Sequence, residues 1–170
     1  MYLRAAPWLL PALVTGTAAA AAVLIWRRRK GEGLMTATMW ALYCGGLIAM
    51  LAVVVGPTQS GYMWDLSVRS CALAPQDWIR TGFGINDRTL NVFMFAIPSL
   101  AGGYLITRLK RWAPLALLTL LPVVIETTHF ALPFLGRTCA TQDLADNYLG
   151  LLIGTVGGWV LAAVSRRDKA

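Results

Sequence analysis

The sequence predicts an all-α integral membrane protein: a compact bundle of five transmembrane helices forming a single membrane domain over residues 1–170. Three observations predict it. The chain is 57% hydrophobic and only 14% charged, where a soluble domain carries about a quarter charged residues. Its apolar residues are gathered into long runs. Segments 8–26, 34–55, 89–107 and 147–165 hold no charge at all, and 112–136 is broken only by Glu126 and His129. The basic residues sit at alternate ends of those runs. A bilayer core needs ~20 apolar residues as helix. In lipid every backbone polar group must bond within its own segment, so the runs are helices.

The first span, about 8–26, carries its positive charge after the apolar run, as "WRRRKGEG". A cleaved leader has the reverse order, so this segment reads as a retained helix with its N-terminus outside. The second span is about 34–55. Residues 57–86 follow as a long outer loop broken by Pro57, Gly61, Pro75, Gly82 and Gly84. A short interfacial helix is expected near 75–81, with Trp8, Trp64 and Trp78 as outer anchors and Trp26 and Trp112 as inner ones. The third span, about 89–107, and the fourth, about 112–132, contain Pro98 and Pro122, where kinks are expected. The fifth, about 147–165, spaces Gly150, Gly154 and Gly158 four apart. That stripe lets another helix backbone approach closely, with Gly45, Gly46, Ser99, Gly102 and Gly103 as candidate partners.

The net charge of +7 does not point to nucleic acid, because the charges are placed as topology signals. Arg27, Arg28, Arg29 and Lys30 follow the first span, Arg108, Lys110 and Arg111 the third, and Arg166, Arg167 and Lys169 the fifth. Positive residues beside span ends stay in the cytoplasm, which places the C-terminus there. Cys44 falls inside a span as a packing residue. Cys71 and Cys139 fall in the two outer loops, a compartment that permits disulfides, and a Cys71–Cys139 bridge is expected.

The polar residues of the last three spans converge on the outer side. Glu126 and His129 are three apart and share a helix face. Asp87 and Asn91 are four apart, as are Asp143 and Asn147; Arg137 and Asp146 lie between or beside them. Aspartates at helix starts commonly cap free amides. Glu126 is different: a carboxylate at membrane depth costs several kcal/mol unless paired, protonated or wet, so it should face the bundle interior with Arg137 or His129 as partner. No two-histidine or cysteine spacing supports a metal site, and no cofactor is assigned.

These residues resemble the VanZ-like family of bacterial membrane proteins over about 87–164. The family opens one span with Asp-x-x-x-Asn followed by Phe and Pro, here "DRTLNVFMFAIP". It then has Glu-x-x-Gln, an Arg, an Asp six residues later and Asn-x-x-Gly-x-x-x-Gly, here Glu126, His129, Arg137, Asp143, Asn147, Gly150 and Gly154. His129 stands where the family has Gln, and Ser99 where Gly is usual. The family is named for a protein associated with resistance to teicoplanin, a glycopeptide antibiotic with an acyl tail. The resemblance implies a multi-pass protein of the bacterial plasma membrane with a cell-envelope role. The expected ligand of Asp87, Asn91, Glu126, His129, Arg137, Asp143 and Asn147 is a membrane lipid, a lipid-linked cell-wall component or a lipoglycopeptide antibiotic, with other membrane proteins as possible partners. Two other readings stand beside it: an enzyme acting on a lipid head group, with Glu126 and His129 as acid and base, and a structural subunit of an envelope complex.

Overall fold

The computed structural model describes residues 9–56, 71–72, 87–132, 135 and 139–167. Apart from residues 71–72, the outer loop lies outside the described residues, as do the expected helix at 75–81, Trp8, Trp64, Trp78 and Arg137. The described chain forms five helices and two short strands: α1 Leu9–Arg29, α2 Leu34–Val55, β1 Cys71–Ala72, α3 Asp87–Leu109, α4 Ala113–Ala131, β2 Cys139–Ala140 and α5 Thr141–Arg167. All five helices are long and apolar enough to cross a membrane, and the protein is a multi-pass membrane protein. Helix α5 starts at Thr141, not near 147, so Asp143 and Asp146 stand in its first turns and not in a loop.

Four threonines inside the spans are satisfied locally. The hydroxyls of Thr17, Thr107, Thr119 and Thr128 each donate to the carbonyl four residues earlier, at 2.7–2.9 Å. Such bonds keep a hydroxyl from being stranded in hydrocarbon. Helices α1 and α2 form a hairpin whose turn needs a left-handed residue, supplied by Gly31 at φ 79°. Small residues let them touch. A Cβ built on Gly16 would lie 2.7 Å from Gly45 O, and one on Gly45 would lie 2.6 Å from Gly16 O.

Helices α3 and α5 make the most extensive contact of the bundle. A Cβ on Gly150, Gly154 or Gly158 would collide with the backbone carbonyls of Val92, Ala96 and Leu100 respectively. Both series advance by four residues in the same direction, so the two helices run parallel. The stripe therefore meets ordinary α3 backbone; of the glycines expected as partners, only Gly103 faces α5, at Thr155. A Cβ built on Gly46 would instead lie 3.3 Å from the Pro98 ring, and one on Gly102 3.4 Å from Leu118. Two apolar clusters fill the interior, one around Tyr43, Tyr104, Leu105 and Leu118, the other around Met50, Val54, Phe95 and Ile125. Cys44 packs against the first. Trp26 and Trp112 are exposed at the basic end of the bundle, where interfacial anchors belong.

Candidate functional site

Helix α4 buries one stripe: Pro114, Leu118, Pro122, Ile125, Glu126 and His129. The spacing follows the helical period, so the two polar residues are carried inward on the same face as the apolar ones. Glu126 is 8% exposed. Its Oε2 accepts the backbone N–H of Ala140 at 3.0 Å, and its Oε1 lies 4.0 Å from His129 Nδ1. Among the described residues the nearest partner of Glu126 is thus a backbone amide of β2, ahead of the expected His129. The other imidazole nitrogen, Nε2, faces the carbonyl oxygen of Val54 at 3.5 Å. A carbonyl only accepts, so this contact calls for a proton on Nε2. In the neutral ring Nδ1 then presents a lone pair towards Glu126.

The amide of Ala140 is held in place covalently. Cys139, beside it, is bonded to Cys71, as expected. The two cysteines face each other in a short parallel ladder of Cys71–Ala72 with Cys139–Ala140, and Thr141 Oγ1 donates to Ala72 O at 3.2 Å. Between this clamp and α4 lies a cleft of about 370 Å³, lined by Glu126, Val123, Phe130, Cys139 and Leu144 among others. Its walls are apolar apart from the carboxylate and two threonines.

A second polar group joins α3 to α5. Asn91 Nδ2 donates to Asp143 Oδ1 at 3.0 Å. The two Asp-x-x-x-Asn repeats therefore meet through the Asn of one and the Asp of the other. Asp146, 1% exposed, is gripped by Arg88 through Nε at 3.0 Å and Nη2 at 3.2 Å. Gln142 Nε2 adds a third bond to it at 3.0 Å. Asn147 is buried, and its Oδ1 has no partner among the described residues. Asp143 is near enough to interact electrostatically with both Glu126 and Arg88, which links the two groups. The structure thus brings Asn91, Glu126, His129 and Asp143 to one end of the last three helices. The side chain of Asp87 and the whole of Arg137 lie outside the described residues.

Two residues of this group, Arg88 and Gln142, are not singled out by the sequence. Gln142 and Asp146 are four apart on one helix, a readable pair; Arg88 carries no such signal, since its partner is 58 residues away. Among the described residues no three His, Cys, Asp or Glu side chains gather as a metal site would require. No protein-family model, no curated protein and no solved structure matches this chain.

Proposed function

We propose that this is a cell-envelope protein of the bacterial plasma membrane, VanZ-like in its last three spans, with its N-terminus outside and its C-terminus in the cytoplasm. Its outer cleft engages a molecule with a polar head and an acyl tail: a lipid-linked envelope component or an acylated glycopeptide antibiotic. One observation carries the reading. Glu126, a carboxylate 8% exposed, lines a cleft of about 370 Å³ whose walls are otherwise largely apolar. Burying a carboxylate beside Val123, Phe130 and Leu144 is unfavourable for stability alone, and suits a ligand that offers a donor to the carboxylate and hydrocarbon to the walls.

Equilibrium binding to the purified chain in nanodiscs tests this, with teicoplanin and a polyprenyl-linked cell-wall precursor as ligands and vancomycin as the untailed control. The tailed ligands should bind, and both Glu126→Gln and the cleft-filling Leu144→Trp should weaken them about tenfold or more. Binding indifferent to both substitutions overturns the proposal.

The 4.0 Å separation of Glu126 Oε1 and His129 Nδ1 favours a second reading, an enzyme on a lipid head group that moves a proton between these two atoms. Under it Glu126→Gln abolishes turnover and His129→Gln flattens the pH profile of the rate. Under the binding reading His129→Gln is mild, because a Gln amide can donate to Val54 O.

A further inference from the structure

Both cysteines of the disulfide line the outer cleft, together with Glu126. Cys139 is buried, and Cys71 is the more open of the two. A disulfide sealed inside a core is reduced only after unfolding. One that lines a cleft of about 370 Å³ is within reach of a small thiolate, because exchange needs access to one sulfur.

The bond also decides whether this wall of the cleft holds together. Among the described residues, β1 is joined to β2 and α5 by the disulfide, by a ladder of two residue pairs and by the Thr141 Oγ1 bond to Ala72 O. So short a ladder is not stable by itself. Cutting the S–S bond therefore lets β1 part from β2. Cys139 is then no longer pinned, and its neighbour Ala140 is the residue whose amide meets Glu126 Oε2. The cleft loses Cys71 from its wall, and the carboxylate loses its fixed donor. The five helices are unaffected, since α3 packs on α5, and α1 on α2, through glycine faces that do not involve the bond.

We propose that Cys71–Cys139 is a thiol–disulfide exchange site that switches the outer cleft: oxidised, the cleft binds its ligand; reduced by a small dithiol, it does not. The inference rests on the proposed ligand and on the proposed topology, which puts the bond in a compartment where disulfides persist. One thiolate of the dithiol attacks the sulfur of Cys71, the more open residue. The S–S bond breaks, and Cys139 leaves as a thiolate that takes up a proton. The second thiol of the reductant then displaces Cys71. The protein ends with two thiols, having gained two electrons and two protons, and the dithiol becomes a disulfide. A small disulfide restores the bond by the same exchange in reverse. Ligand and bond are coupled in both directions: a ligand that prefers the oxidised form makes the bond harder to reduce by the same factor.

The test uses the full chain in nanodiscs with Cys44→Ser, which leaves Cys71 and Cys139 as its only cysteines. It is compared oxidised, after dithiothreitol, and after re-oxidation with oxidised glutathione. Two quantities are read: hydrogen–deuterium exchange at Ala140 and affinity for teicoplanin. Dithiothreitol should reduce the folded chain. Exchange at Ala140 should then rise about tenfold or more, while the α3–α5 contact stays protected. Teicoplanin should bind about tenfold weaker to the reduced form and recover on re-oxidation. A variant with both Cys71→Ser and Cys139→Ser should bind as weakly as the reduced chain and ignore dithiothreitol. The proposal is overturned by a bond that yields only when the helices lose protection, by unchanged exchange at Ala140 after reduction, or by equal teicoplanin binding to both forms. If exchange at Ala140 rises on reduction but teicoplanin binds neither form, the wall does open, and it is the ligand proposed for the cleft that fails.

Discussion

Glu126 takes the amide proton of Ala140 on Oε2 at 3.0 Å, and Ala140 is fixed there because its neighbour Cys139 is bonded to Cys71. A carboxyl group inside an apolar helix is thus met by a backbone donor that a covalent clamp positions. Glutamine keeps an acceptor oxygen of the same reach. Glu126→Gln should therefore fold normally, with stability within about 1 kcal/mol of wild type, while ligand binding falls. A thermal unfolding midpoint lowered as far as that of Glu126→Leu would assign Glu126 a structural role.

The disulfide is directly countable. The chain has three cysteines, of which Cys44 is free. Unfolded without reductant, one thiol per chain should react with a maleimide; after reduction, three should. Cys139→Ser should lower stability by about 2–4 kcal/mol and should weaken ligand binding too, since Ala140 is no longer held against Glu126. Three reactive thiols before reduction would contradict the clamp.

Parallel packing of α3 on α5 depends on absent side chains. Gly154→Ala puts a methyl group into the Ala96 carbonyl and close to Leu100 N. Both obstacles are backbone, so the helices must part, and a loss of about 2 kcal/mol or more is expected. Gly157→Ala meets only the end of the Leu100 side chain, at 3.7 Å, and should be nearly neutral. Unfolding midpoints of the two variants in one detergent give the comparison.

Arg88 and Asp146 form a pair that is costly to break from one side. Removing Arg88 leaves a carboxylate that is 1% exposed with only Gln142 to satisfy it. Arg88→Ala should lose about 3–5 kcal/mol, and Arg88→Met with Asp146→Leu should recover a good part of that. A double-mutant cycle on unfolding free energies measures it. Strict additivity would mean that the pair is not coupled.

Much of this was readable before the fold was known, for identifiable reasons. The spans follow from uncharged runs, because lipid tolerates little else. Glu126 and His129 follow from a three-residue spacing on one helix. The Cys71–Cys139 bond follows from both cysteines falling between spans on one side. What escaped lies between segments far apart in the chain or in backbone atoms. The sequence points to a start of α5 near Asn147 because charge marks the edge of the hydrocarbon, not the end of a helix. Arg88, Asn91 and Gln142 satisfy Asp143 and Asp146, which lets the helix extend to Thr141. The partner of Glu126 is a main-chain amide, and main-chain amides leave no signature in residue type.

The most direct test of the central claim is a susceptibility assay in a teicoplanin-sensitive Gram-positive host. It compares empty vector, wild type and Glu126→Gln at matched membrane levels, with vancomycin as the untailed control. Wild type should raise the teicoplanin threshold and leave vancomycin unchanged, and Glu126→Gln should behave like the empty vector. A threshold raised equally by wild type and Glu126→Gln would contradict the claim that this carboxylate and its cleft do the work.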